Sequence, residues 1–211
     1  MKKTLLLSLS LLLVCTLAVF AGNDARPDAR EDLLFNALSA LHTEGHDPSE
    51  YTAYDWGGQI ISDFYSITAP MDPAALQAYC RKHIQRLTRL QITEEDTLRG
   101  EPMKTGRLTC TEAYRTPIDS RYMTLQFTIQ ASAIYDESGT AFAYTYEPKT
   151  GLTQYALPDG WSCTSGGMGG KESIRKTDGH AYFQYQHNYT ATYLGIGFDL
   201  GQSNCTFTIA P

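Results

Sequence analysis

Between Arg121 and Tyr135, apolar and polar residues alternate almost without a break. Met123, Leu125, Phe127, Ile129, Ala131 and Ala133 fall on one side of an extended chain, with Tyr122, Thr124, Gln126, Thr128, Gln130 and Ser132 on the other, because successive strand side chains point in opposite directions. One apolar and one polar face predict a strand of an antiparallel sheet covered on a single side. The alternation continues on both flanks: Leu108, Cys110 and Tyr114 share a side before it, and Phe142, Tyr144 and Tyr146 after it. Turn residues at Thr116 to Asp119 and Asp136 to Gly139 separate the three segments, which read as a meander.

A second long strand is predicted from His180 to Tyr193. Phe183, Tyr185, His187, Tyr189 and Tyr193 lie on one face, and Tyr182, Gln184, Gln186, Asn188, Thr190 and Thr192 on the other. The phase then slips to Leu194, Ile196, Phe198 and Leu200 around Gly195 and Gly197, which predicts a bulge or sharp bend. A turn over 201–204 and a last strand carrying Cys205, Phe207 and Ile209 complete the expectation. The breaker-rich stretch 147–179 holds one short strand near Leu152 to Leu157, and its run from Ser165 to Gly170 reads as a hairpin loop.

The first half of the chain follows a helical period instead. Asp28, with Glu31 three residues on, predicts a capped helix with Leu34, Leu38 and Leu41 inward and Gly45 at its end. Trp56, Ile60, Ile61, Phe64 and Tyr65 suggest a second, short helix after a turn-like stretch from His46 to Tyr54. Asp72 followed by Pro73 marks the start of a third, whose buried stripe is Leu76, Cys80, Ile84, Leu87 and Leu90, with Arg81, Lys82, Arg86 and Arg89 on its other faces. Residues 91–106, acidic and rich in turn formers, separate this helical part from the strands. The expected fold class is α+β, with N-terminal helices packed on one face of a mostly antiparallel sheet.

At 211 residues and 42% hydrophobic composition the chain suits one core, placing a single domain at 22–211. Residues 1–21 read as a signal peptide: Lys2 and Lys3 precede an apolar run to Phe20, with small residues before a cleavage point after Ala21. That run falls short of the about 20 apolar residues of a membrane span, so no transmembrane anchor is expected after cleavage. Val14 is larger than the residue that normally precedes a lipidated cysteine, which disfavours a lipid anchor at Cys15. A plain apolar leader suits a bacterial envelope protein, periplasmic or secreted. The net charge of −6 becomes −8 once Lys2 and Lys3 leave with the leader, which argues against nucleic acid as a partner.

Four cysteines remain beyond the leader: Cys80, Cys110, Cys163 and Cys205. In an exported chain an even number predicts two disulfides, and pairing neighbours in sequence gives Cys80 with Cys110 and Cys163 with Cys205. CxxC spacings are absent, so neither a zinc site nor any other metal or cofactor is expected. The glycine run before Lys171 also fails as a phosphate loop, because Ser165 stands at the first glycine's place and Glu172 where the magnesium-holding hydroxyl belongs.

The remaining candidate chemistry is a binding surface. Tyr122, Thr124, Gln126, Thr128 and Gln130 on one strand, with Tyr182, Gln184, Gln186 and Asn188 on the other, are polar yet uncharged and able to hydrogen-bond a sugar or a peptide backbone. They predict a noncatalytic binding or inhibitory protein acting on a protein or glycan of the cell envelope, with no catalytic residue assigned. The alternative is a secreted hydrolase built on His180 and Asp178, which are close in sequence but accompanied by no catalytic motif.

Overall fold

The computed structural model describes residues 32–98, 101–147, 152–174 and 178–211. The leader, Cys15 and the expected cap Asp28 lie outside them. Helix α1 (Leu33–Thr43) starts at Asp32, whose carboxylate accepts the Phe35 N–H at 3.2 Å, and it buries Leu34, Leu38 and Leu41 as their spacing predicts. Strand β1 (Tyr51–Tyr54) occupies the end of the stretch expected as a turn. Helix α2 (Phe64–Thr68) is shorter than expected, because Asp55 accepts the N–H groups of Gly57 and Gln59 and holds that segment in a turn. Helix α3 (Pro73–His83) has Asp72 as its cap, accepting the Ala75 N–H at 2.8 Å.

That helix ends sooner than its apolar spacing suggests. Ile84 is already extended, and Leu87 and Leu90 belong to β2 (Arg86–Leu98), which pairs with β1 and with β3 (Glu101–Arg115). Apolar residues three and four apart fit a helix, but a strand partner on each side decides for the extended form, supported by β-branched Thr88, Ile92 and Thr93. The acidic stretch 91–106 is therefore largely strand. Glu94 of this stretch pairs in register with Lys104, their charged atoms 3.2 Å apart.

Strands β4 (Tyr122–Tyr135) and β5 (Ala141–Glu147) follow β3 as the expected meander, in register at Cys110 with Phe127 and at Ala133 with Tyr144. Strand β6 (Leu152–Ala156) pairs with the first half of β4. This sheet has six strands in the order β1-β2-β3-β4-β5, with β6 also on β4. The other sheet has three, β7 (Trp161–Ile174), β8 (Ala181–Tyr193) and β9 (Ile196–Ile209), in that order.

Two loop expectations are corrected in this second sheet. The glycine run lies inside β7, because ladder hydrogen bonds need only backbone groups, and the register shift between Gly166 and Met168 absorbs the irregularity. Residues 201–204 continue β9 instead of turning. The reversal comes earlier, at Leu194 and Gly195, both with positive φ (50° and 80°), as a two-residue hairpin requires. The slip of phase after Tyr193 is thus a change of strand.

The result is a fold of mostly antiparallel sheets with a few helices. Leu108 and Cys110 of β3, Leu125, Phe127 and Ile129 of β4, Phe183, Tyr185 and Tyr189 of β8, and Cys205, Phe207 and Ile209 of β9 share one buried cluster, so the two sheets meet through their apolar sides. At Gly106 the sheets approach closely: a Cβ there would lie 3.1 Å from Ile209 and Phe207. A second cluster gathers Leu34, Leu38, Phe64, Leu76 and Cys80 with Ala53, Leu87 and Ala113.

Candidate functional site

Strand β4 lies in the six-stranded sheet and β8 in the three-stranded one, so the two polar rows expected to form one surface are not brought together. Their apolar sides face each other across the core, and their polar sides therefore point away from each other. On β4, Tyr122 and Thr124 are buried; the Thr124 hydroxyl accepts the Leu33 N–H at 3.1 Å, and the Gln126 amide donates to Thr111 at 3.0 Å. Thr128 is half-buried and Gln130 exposed.

The β8 row fares differently. Its in-register neighbours on β9 are also uncharged polar residues: Tyr182 pairs with Thr208, Gln184 with Thr206, Gln186 with Asn204 and Asn188 with Gln202. Asn188, Gln202, Asn204 and Thr206 are exposed, and Tyr182, Gln184, Gln186 and Thr208 half-buried. Eight side chains thus form a continuous amide and hydroxyl surface on the outer side of the second sheet. Half of it was missed because 201–204 reads as a turn. The signal was present as alternation of Gln202, Asn204, Thr206 and Thr208 against Ser203, Cys205, Phe207 and Ile209.

The core between the sheets contains a second concentration of polar chemistry. On β3, Glu112 follows Cys110 and precedes Tyr114 at strand spacing, which places its carboxylate in the interior at 1% exposure. The Tyr114 hydroxyl donates to Oε2 at 2.7 Å, Ser203 Oγ donates to Oε1, and His187 Nε2 lies 3.3 Å from Oε2. Arg86 Nη1 is 3.7 Å from Oε1 and donates at 2.9 Å to the Asn204 carbonyl. Burial alone would raise the Glu112 carboxyl pKa. Hydrogen bonds from His187, Ser203 and Tyr114, with the charge interaction to His187, outweigh it and leave the carboxyl below its ordinary range. Burial beside that carboxylate pushes the Tyr114 phenol far upward, fixing it as a donor.

Serine, histidine and glutamate are the residue types of an acyl-transfer site, but their wiring differs. There the imidazole stands between hydroxyl and carboxylate. Here Glu112 stands in the middle and takes both, while His187 Nδ1 has no hydrogen-bond partner among the described residues. All three are buried. The arrangement ties β2, β3, β8 and β9 together around one carboxylate and presents no nucleophile to solvent.

The His180 and Asp178 pair is local. His180 Nδ1 lies 4.0 Å from Asp178 Oδ2, and the same carboxylate accepts the His180 N–H at 3.1 Å and the Tyr182 hydroxyl at 2.6 Å. These contacts span at most four residues and fasten the start of β8.

The cysteines are placed differently from the neighbour pairing. Cys110 Sγ and Cys205 Sγ are 3.3 Å apart across the inter-sheet core, Cys80 sits among the helix residues of the second cluster, and Cys163 is half-buried on β7. No disulfide joins these four in the structure. Among the described residues no helix is long and apolar enough to cross a membrane. Comparison with known protein families, with curated proteins and with solved structures finds no match.

Proposed function

We propose that the protein is a noncatalytic binding or inhibitory protein of the bacterial cell envelope, exported by cleavage of residues 1–21, that engages a glycan or an extended protein segment through the outer face of β8 and β9. The observation that carries this reading is the in-register run of Gln184 with Thr206, Gln186 with Asn204 and Asn188 with Gln202, a half-buried to exposed surface without a charged side chain in those pairs. Amides and hydroxyls in a fixed two-strand array offer donors and acceptors at strand spacing. A ligand with many neutral hydroxyl or amide groups can satisfy them without ion pairing.

The placement of the helices supports the same face. Leu87 and Ala113 stand on the side of their strands opposite to Cys110 and share a cluster with Leu34, Leu38 and Leu76. We infer that the helices cover the outer side of the six-stranded sheet around β1 to β3, which leaves β8 and β9 as the open layer. The buried Glu112 cluster then serves to hold that layer in place.

Asn188→Glu with Thr206→Glu tests the proposal. Both positions are exposed and are not cross-strand partners, so the changes cost within about 0.5 kcal/mol each and the fold persists while the surface acquires charge. Capture of envelope proteins and binding to a panel of neutral oligosaccharides should both be measured. The double variant is expected to lose the interactions of the wild type, and Gln130→Glu on the other sheet to keep them. Retention of every interaction by the β8–β9 variant would overturn the assignment.

A further inference from the structure

We propose that Cys110 and Cys205 form a disulfide that joins the two sheets covalently, with Cys80 and Cys163 remaining thiols. The sulfurs approach from β3 and β9, strands of different sheets, and stand 3.3 Å apart with both residues buried. A bonded pair needs them closer by about 1 Å. Cys80 is packed with Leu34, Leu38 and Leu76, and the Cys163 sulfur has a 3.9 Å contact to the carbonyl of its neighbour Thr164.

The oxidant is a disulfide of the exported compartment, either a dithiol oxidoreductase or glutathione disulfide. One protein thiol loses its proton, attacks the oxidant's disulfide and expels one oxidant thiolate. The second protein thiolate then attacks the mixed disulfide at the protein sulfur and expels the other. Two protein thiols become one disulfide, and one oxidant disulfide becomes two thiols. Burial holds the Cys110 thiol well above its ordinary pKa, so exchange from the closed molecule is slow and the bridge belongs to folding, before β9 docks.

Cys110, Glu112 and Cys205 also offer ligand atoms within 4.8 Å of one another, as a metal would require. Both Glu112 oxygens are already hydrogen-bonded, however, and the Arg86 guanidinium lies against the same group, which favours the bridge over a cation.

The pairing rests on geometry, and only its cellular oxidant rests on the proposed export. The test is refolding of the full reduced chain in a glutathione redox buffer, alkylation, and non-reducing digestion with mass analysis. A Cys110–Cys205 linked peptide, two hydrogens lighter than its parts, is expected beside alkylated Cys80 and Cys163. Cys80–Cys110 or Cys163–Cys205 peptides, alkylation of both Cys110 and Cys205, or bound zinc with unlinked Cys110 and Cys205 would each overturn it. Reductant should also lower the urea midpoint of the oxidised wild type and leave the Cys110→Ala, Cys205→Ala double variant unmoved; equal responses would count against the bridge. Export fails on a separate observation, a cellular protein that retains residues 1–21, with the pairing in vitro unaffected.

Discussion

Glu112 shows how one side chain can tie the interior together and make it sensitive to acid. Its carboxylate accepts from Tyr114 and Ser203, contacts His187, and faces Arg86, so removing its charge takes the carboxylate from a buried network and leaves the half-buried guanidinium with the Asn204 carbonyl alone among these groups. Glu112→Gln should therefore cost about 3–5 kcal/mol at neutral pH, read from urea unfolding. The folded carboxyl is held below its unfolded value near 4.5, so its stabilisation is complete above that pH and is lost as pH falls through the folded pKa. The variant should lose less stability than the wild type on acidification. Asp32 works in the opposite sense. Burial raises its pKa above the unfolded 3.8 despite the Phe35 N–H and Arg81, so the folded state gains protons first and is favoured as pH falls toward 3.8. Asp32→Asn keeps a capping oxygen, and it should steepen the acid loss that Glu112 causes. An acid response unchanged from the wild type in Glu112→Gln or in Asp32→Asn would contradict the assignment of that residue.

At the scale of elements, what could be read from sequence was whatever a side-chain period records. β3, β4, β5 and β8 show alternation and form as strands, α3 begins at Pro73 as its cap predicts, and α1 buries the leucines its spacing predicts although Asp32 serves as its cap. What could not be read depends on partners far along the chain. Leu87 and Leu90 fit the helical stripe until β1 and β3 flank them, and the glycines of β7 carry no pattern at all. The candidate surface was half readable: the β8 row was found, its true neighbour on β9 was hidden by Gly201 and Asn204, and the β4 row was joined to it although no period can say which sheet a strand enters. Phe127 marks where the readable part carries most weight, since it packs at 4.1 Å between ring centroids on His187 and at 5.8 Å on Tyr185. Phe127→Ala should cost about 3–5 kcal/mol by urea unfolding, whereas Gln130→Ala on the exposed side of the same strand should cost within about 0.5 kcal/mol. Equal losses would mean that the inward and outward faces are assigned wrongly.

For the whole molecule, cohesion depends on contacts between segments distant in sequence. β9 brings Cys205, Phe207 and Ile209 into the core, the Ile209 carbonyl accepts the Tyr135 hydroxyl at 2.7 Å from 74 positions away, and Asn204 accepts from Arg86 over a separation of 118. Closing such loops costs chain entropy before any burial rewards it, so the two sheets are expected to assemble slowly and together. The inter-sheet core is shared, since β3, β4, β8 and β9 all contribute to the same cluster. Deleting residues 205–211 removes three of its buried side chains and the acceptor for Tyr135, while leaving the helices and β1 to β8 intact in sequence. The truncated chain should lose its near-UV circular dichroism and its cooperative urea transition, because the exposed apolar sides of β3, β4 and β8 no longer have a cover. A truncated chain that still unfolds cooperatively would show that the six-stranded sheet and its helices are stable alone, and the second sheet would then be an attachment to the fold instead of half of its core.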